Sequence, residues 1–316
     1  MQIKFWGVRG SLPSAQTTED SIKHIERLMN QFFDLGFTTK SDISKFIHKF
    51  APPQLGGFGS STTCIQIESN DQFIVIDGGS GLKYVSDNLF KSGKIATINE
   101  FHIFMSHFHF DHIIGIPFFA PHFMKNKIIH YYSVLPNTEQ IVRSLFAKPV
   151  FPVTYEQLTA KINFHQIENY KPLTVNGFKI TSYKLDHPDP CSGFRVEQNG
   201  KVYAHAVDHE VERRTHEQLG PDAALFENAD LLYIDAQYEE SEMIQKKGWG
   251  HGTCPRGFEV ADRFHVKNLL FAHHEPASKL AETLKMREHA TEYFKANYPH
   301  SKLNWDFAYE GQTVKI

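Results

Sequence analysis

The sequence predicts an α/β fold, a β-sheet core under helical cover. Three observations carry that reading. Short strand-like apolar runs alternate with amphipathic helical stretches along the chain. Asn199-Gly200, between Phe194-Arg195-Val196 and Val202-Tyr203-Ala204, is a two-residue hairpin signal. The apolar run Phe101-His102-Ile103-Phe104-Met105 empties into Ser106-His107-Phe108-His109-Phe110-Asp111-His112, a strand running into a loop of metal-ligand residues.

Residues 2–7, 62–68 and 72–77 read as strands, the last two joined by a tight turn at Asn70-Asp71. Before the second of these, Ile22, Ile25, Leu28, Met29, Phe32 and Phe33 fall at helical spacing, as do Ile43, Phe46, Ile47 and Phe50. Ser41 or Asp42 caps the second helix and Pro52-Pro53 stops it. A helical hairpin inserted over residues 15–55 is expected. It is either decoration packed on the core, or a lid or homodimer surface hinged at Gly56-Gly57-Phe58-Gly59-Ser60-Ser61. Further strands are expected at 101–105, 128–133, 178–185, 193–198, 201–207, 231–234, 268–272, 304–309 and 312–316. Helices are expected at 136–147, 214–226, 255–264 and 277–297.

At 316 residues the chain makes one large domain or two small ones, with length enough to bury a core without disulfides. Net charge −3 leaves no basic field of the kind that announces nucleic acid. Cys64, Cys191 and Cys254 are far apart and form no C-x-x-C pair, which argues against a cysteine zinc site and suits a reducing cytoplasm. No apolar leader opens the chain, and the run 113–120 is too short for a bilayer and contains Pro117. A soluble cytoplasmic protein with no membrane partner is expected.

In the His-rich segment, alternate residues of an extended chain project the same way, so His107, His109 and Asp111 converge and His112 turns off that line. Imidazoles with a carboxylate suit zinc, iron or manganese; calcium and magnesium prefer oxygens.

His-x-His-x-Asp-His at 107–112 resembles the signature of the metallo-β-lactamase-fold hydrolases. His187 in Leu185-Asp186-His187-Pro188, Asp208 in Ala206-Val207-Asp208 and His273 in Phe271-Ala272-His273-His274 match the later landmarks of that superfamily. Phe5-Trp6-Gly7-Val8-Arg9-Gly10-Ser11 and Ile76-Asp77-Gly78-Gly79-Ser80-Gly81 resemble its phosphodiesterase branch. The resemblance covers nearly the whole chain outside the helical insertion. It implies a four-layer αβ/βα sandwich, a single hydrolase domain over 1–316, and a metal site at one edge.

It further implies two divalent metal ions, zinc first, with manganese or iron as alternatives. His107, His109 and His187 would hold one ion, Asp111, His112 and His273 the other, and Asp208 would bridge them. Such a pair activates a shared water as hydroxide near neutral pH, with Asp111 aiming it. His251, in Gly248-Trp249-Gly250-His251-Gly252-Thr253, resembles an element of the tRNA 3′-processing branch, and Asp235 resembles the acidic partner of that histidine. The pair would serve as general acid for the leaving oxygen, or as a structural hydrogen bond.

Asp77 would support the metal loop from behind, and Cys191 would be a buried bystander. The roles of His209 and His274 stay open, and His122, His130, His205 and His216 read as packing or surface residues. Pro117-Phe118-Phe119-Ala120-Pro121-His122-Phe123-Met124 would form an apolar wall for a base or aryl group, or simply core.

The expected substrate is a small phosphodiester such as a cyclic nucleotide. Long nucleic acid is disfavoured by the charge balance and by the lack of an evident substrate-gripping arm. A hydrolase of thioester, lactone or amide bonds, or a mononuclear iron sulfur dioxygenase, would use the same residues. A flavodiiron enzyme would carry Glu at His109, and a non-catalytic module would have lost ligands.

Overall fold

Period-two alternation gives each strand two faces, and in this chain both faces are largely apolar, so each sheet must be covered on both sides. The computed structural model describes residues 1–70 and 72–316. The expected Asn70-Asp71 turn falls partly outside the described residues.

The first sheet contains β1 (Gln2–Gly7), β2 (Cys64–Ser69), β3 (Gln72–Ile76), β4 (Glu100–Phe104), β5 (Ile128–Ser133), β6 (Lys161–Gln166) and, from the far end of the chain, β14 (Thr313–Lys315). The second contains β7 (Leu173–Val175), β8 (Phe178–Lys184), β9 (Ser192–Gln198), β10 (Lys201–Ala206), β11 (Leu231–Asp235), β12 (Asn268–Ala272) and β13 (Asn304–Phe307). Their orders are β14-β1-β2-β3-β4-β5-β6 and β13-β12-β11-β10-β9-β8-β7. Strands β3 to β6 run parallel, as do β10 to β13, and the other pairs are antiparallel.

Between the sheets lie Phe5, Ile65, Ile67, Ile76 and Phe104 of the first and Phe194, Val196, Tyr203, Tyr233 and Leu270 of the second. The residues one step along each strand face outwards. Val75, Phe101, Ile103 and Ile129 pack on Leu82, Val85 and Leu89 of the helix Leu82–Lys91. On the other side, Leu232, Ile234, Leu269 and Phe271 pack on Phe258 and Ala261 of Cys254–Arg263 and Ala290 of Leu280–Asn297. Helices, sheet, sheet and helices make the four-layer αβ/βα sandwich.

The Asn199-Gly200 turn closes β9 onto β10 with both residues at positive φ, 52° and 74°. Other segments depart from the reading of the sequence. Residues 214–226 form a short helix, His216–Leu219, then a 3₁₀ stretch, Gly220–Leu225, because Gly220 turns the chain at φ 54°. β6 and β7 escaped notice because they are edge-side strands with only half-buried apolar residues. The helix Leu82–Lys91 was also missed.

In the N-terminal segment, Thr17 and Asp20 form a reciprocal cap at the start of Thr18–Asp34. A second helix is Asp42–Ile47, preceded by Ser41, whose side chain makes no capping bond. Pro52-Pro53 opens a third helix, Pro52–Gly56, instead of only ending the second. Proline at the first helical turn loses no hydrogen bond there. Phe32, Phe46 and Phe50 pack edge to face, with centroids 5.4 and 5.0 Å apart. Ile22, Ile25, Met29 and Phe33 stand exposed. Among the described residues no helix is long and apolar enough to cross a membrane.

Just beyond the His-rich loop, His122 is wholly enclosed. Its Nδ1–H donates to the Phe119 carbonyl (3.1 Å), and its Nε2 accepts from the Tyr131 hydroxyl (3.0 Å). Burial pushes its pKa down to about 3, against the raising effect of the carbonyls of Phe119 and Ile116. The unfolded chain therefore binds a proton that the native chain refuses between about pH 6.5 and pH 3, and stability rises with pH across that window. His122→Gln is expected to flatten the decline in unfolding free energy on acidification, read by urea titrations across that range. Parallel profiles would contradict this.

Candidate metal centre

The site stands at the carboxyl ends of parallel strands, where open α/β sheets present ligand-binding loops. β3 runs out at Asp77, β4 at Ser106, β10 at Asp208, β11 at Asp235 and β12 at His273. Asp77, Asp208 and His273 all sit in the left-handed region, at φ 61°, 62° and 62°. Non-glycine residues held there cost of order 1–3 kcal/mol each and gather at functional sites.

Asp77 organises the His-rich loop. Its carboxylate accepts from the Ser106 amide (2.8 Å), the Ser106 hydroxyl (2.8 Å) and His112 Nδ1–H (2.9 Å). The Gly78 amide donates to the His112 carbonyl and the Gly115 amide to that of Gly78. Backbone meets backbone here: a Cβ on Gly115 would lie 2.0 Å from the Gly79 carbonyl oxygen. The loop is not extended throughout. Past His109 the chain makes a helical turn, Phe110–Ile113, which carries Asp111 away from His107 and His109 and beside His112. The expected convergence of 107, 109 and 111 is thereby corrected, because the extended-chain periodicity ends at His109.

All seven residues expected as ligands come together. His107, His109, His187 and Asp208 form one cluster with ligand atoms within 4.8 Å of one another, and Asp111, His112 and His273 form another. Asp208 reaches both. Its Oδ2 lies 3.5 Å from His107 Nε2 and 3.9 Å from His187 Nε2. Its Oδ1 lies 3.0 Å from His112 Nε2 and 3.0 Å from His273 Nε2.

The donor set fits divalent cations. Nε2 of His107, His112 and His187 and Oδ1 of Asp208 are buried without a hydrogen-bond partner, which is costly unless an ion takes the lone pairs. The other ring nitrogens are engaged. His107 Nδ1 sits 3.1 Å from the Ser106 hydroxyl, His187 Nδ1 donates to the Asp189 carbonyl (2.8 Å), and His273 Nδ1 to Gln237 Oε1 (2.8 Å). His109 is held the other way round, with Nε2 on Asp189 Oδ2 (2.9 Å), which leaves Nδ1 for an ion. The pattern is that of metal-bound imidazoles fixed by an outer partner.

Burial alone would raise both carboxylates, but His273, His112 and His107 hold Asp208 well below the usual range, and His112 and His273 do the same for Asp111. Burial opposes charge on His112 and His273, yet Asp208 and its neighbouring acids push both imidazoles well above their usual value. His107, dominated by burial and by His112, is pushed well below.

Beside the second cluster, His251 Nδ1–H donates to Asp235 Oδ2 (2.9 Å), and the ring stacks on His273 at 4.7 Å. Asp235 Oδ1 accepts from the amides of Gln237 (3.0 Å) and Gly252 (3.1 Å), so the carboxylate is fixed on both oxygens. Asp208, Asp235, His251 and His273 converge within 4.8 Å.

The remaining residues find their places. His209 Nδ1 accepts from the Asp186 amide (2.9 Å) and the ring stacks on Phe226. His274 Nε2–H donates to the Ala308 carbonyl (2.7 Å), pointing away between Phe58 and Phe307. Cys191 is buried with its Sγ 3.7 Å from His107 Nδ1. Phe118 and Phe123 are exposed while Phe119 and His122 are buried, so the aromatic stretch is divided between surface and core.

Four contributions were not expected from the sequence. Asp189 holds His109 and His187, Gln237 holds His273, and the Ser11 amide donates to Asp111 Oδ2 (2.8 Å). His205, taken as a packing residue, lies 3.7 Å from Asp77. Asp189 was findable, as an acid two residues beyond His187. The others come from distant strands, and no local pattern marks them.

A four-layer sandwich with this cage at its edge defines a metal-dependent hydrolase of the metallo-β-lactamase fold. Residues 74–274 match the beta-lactamase superfamily domain, and the chain belongs to that family. Ribonuclease Z of Archaeoglobus fulgidus is 23% identical over 268 residues, covering 68% of this chain and 85% of that protein. The metallo-beta-lactamase fold protein YhfI from Bacillus subtilis aligns with TM-score 0.63 at 17% identity, covering 99% of this chain and 98% of that one. The short form of human tRNase Z aligns with TM-score 0.58 at 17% identity, covering 100% and 99%.

Asp77→Asn would set an amide against donors that need an acceptor. It is expected to weaken divalent-metal affinity by about 10–100-fold, measured by chelator competition. Unchanged affinity would remove Asp77 from the support of the cage.

Proposed function

We propose that this chain is a two-metal phosphodiesterase, with residues 1–316 working as one hydrolase domain. His107, His109, His187 and Asp208 would hold the first ion, and Asp111, His112, His273 and Asp208 the second. Zinc suits the nitrogen-rich donor set best, with manganese or iron as alternatives. When bound, the pair supplies charge neutralisation and an acidified water at near-neutral pH.

The observation that carries the reading is the Asp235–His251 pair beside the cage. Cleaving a phosphodiester with a poor leaving group demands a proton for the departing alkoxide, whereas a thioester expels a thiolate and makes no such demand. Asp235 accepts from Nδ1–H, which leaves His251 Nε2 to carry the proton to the leaving oxygen. Asp111, held by the Ser11 amide, has a fixed carboxylate with which to orient the nucleophile.

A small phosphodiester such as a cyclic nucleotide is the proposed substrate. The net charge of −3 supports it, as do Phe110, next to Asp111, and Trp249, two residues before His251, exposed aromatics on which a base can stack. A second reading, an RNA 3′ phosphodiester, is favoured by the likeness to proteins named ribonuclease Z and tRNase Z.

The test is a substrate panel with added zinc, manganese or iron: a bis-aryl phosphate, cyclic nucleotides, a 3′-extended tRNA, a lactone and a thioester. Cleavage of cyclic nucleotides is expected. Cleavage of the tRNA alone would select the second reading, and rapid lactone or thioester turnover with intact phosphodiesters would overturn both. His251→Ala is expected to lower kcat about 10²–10⁴-fold on alkyl phosphodiesters and less on aryl ones. Asp208→Ala should lower metal content and turnover together. Undiminished alkyl-ester cleavage by His251→Ala would refute the general-acid role.

A further inference from the structure

Three ligand-type side chains stand together far from the cage. Glu100 and His102 on β4 and His130 on β5 offer ligand atoms within 4.8 Å of one another. His102 and His130 are register partners across the parallel pair, and their rings stack at 4.7 Å. They share the face of Phe104 and Tyr132, so they sit at the rim of the inter-sheet core. His102 precedes His107 by five residues, ~16 Å of extended chain.

Each imidazole is anchored through Nδ1. His102 Nδ1–H donates to the Tyr132 hydroxyl oxygen (3.0 Å), and His130 Nδ1–H to His165 Nε2 (2.9 Å). In that tautomer both Nε2 lone pairs turn towards one carboxylate. Glu100 Oε2 lies 3.6 Å from His130 Nε2 and 4.0 Å from His102 Nε2. Those separations are too long for hydrogen bonds, and His130 Nε2 is buried without a partner. Zinc bonds of ~2.0–2.1 Å in a tetrahedron place ligand atoms ~3.4 Å apart, so an ion bound by all three would draw these atoms inward by a few tenths of an ångström or more.

We propose that Glu100, His102 and His130 form a second, separate zinc site that ties the starts of β4 and β5 together. Two nitrogens and a carboxylate leave a fourth position to water, and the Glu100 side chain, 56% exposed, is free to close over the ion. The Nδ1 contacts to Tyr132 and His165 are the outer partners that orient metal-bound imidazoles. Burial, with His130 and His165 nearby, lowers His102 to about 4, and burial with His165 lowers His130 as well. Both are therefore neutral at physiological pH, the state in which imidazole binds metal.

The test counts zinc in the full chain after equilibrium dialysis, for wild type, His130→Ala and Glu100→Gln. Wild type is expected to hold one more zinc ion per chain than His130→Ala, with hydrolytic activity unchanged by the substitution. Glu100→Gln alters only an exposed side chain, so folding is not in question, and it should release this ion at lower chelator concentration. Cobalt loaded at this site should give an absorption band that the wild type shows and His130→Ala lacks. Equal zinc counts in all three proteins would overturn the site. Loss of ions from the catalytic cage would lower every count alike and leave the difference standing.

Discussion

Asp208 is enclosed with His107 and His187 on the side of one oxygen and His112 and His273 on the side of the other. Nitrogen lone pairs cannot hydrogen-bond one another, and four imidazoles facing one carboxylate leave several of them unpaired. Burying them in that state is expensive, of the order of a lost hydrogen bond or more for each atom. The arrangement is consistent as a receptacle for cations, which convert every orphaned lone pair into a bond. Asp208 and its neighbouring acids favour positive charge at this spot, pushing both His112 and His273 upward against burial.

The outer contacts follow from that constraint. Each cage histidine has two nitrogens, and the one turned away from the ion must be held or the ring will rotate. Ser106, Asp77, Asp189 and Gln237 do that holding, from four separate segments. Close packing of the Gly78-Gly79 turn on the His-rich loop brings Asp77 within reach of His112. Positive φ at Asp77, Asp208 and His273 turns each chain off its strand just where its side chain is needed. This strain is borne by the two sheets, whose shared core of Phe5, Phe104, Tyr203 and Tyr233 holds the strand ends in place.

Histidine serves several ends in this chain. At the strand termini it surrounds carboxylates; at the start of β4 and β5 it forms a stacked row with Tyr132 on the inner sheet face. His122 belongs to neither group and is satisfied by the Phe119 carbonyl and the Tyr131 hydroxyl. Side-chain identity does not separate these uses. His122, with both nitrogens bonded, differs from His107, His112, His187 and His130, each of which leaves Nε2 unpaired.

Much of the architecture was legible in the sequence because strand alternation and turn chemistry are local. The Asn199-Gly200 hairpin, the buried run Leu231–Asp235 and the strand leading into the His-rich loop all follow from side chains a few residues apart. The ligand residues were legible through motif resemblance, since their spacing is tied to strand ends. Edge strands such as Lys161–Gln166 were not, because half-buried strands carry too weak an apolar signal. Extended-chain spacing by itself grouped Asp111 with His107 and His109; the resemblance placed it with His273, where one helical turn after His109 carries it. Composition and spacing determined which residues were available and the fold that would carry them. Only the packing of two sheets decided which nitrogens of which histidines are held and which are left facing an ion, because those partners lie tens or hundreds of residues apart.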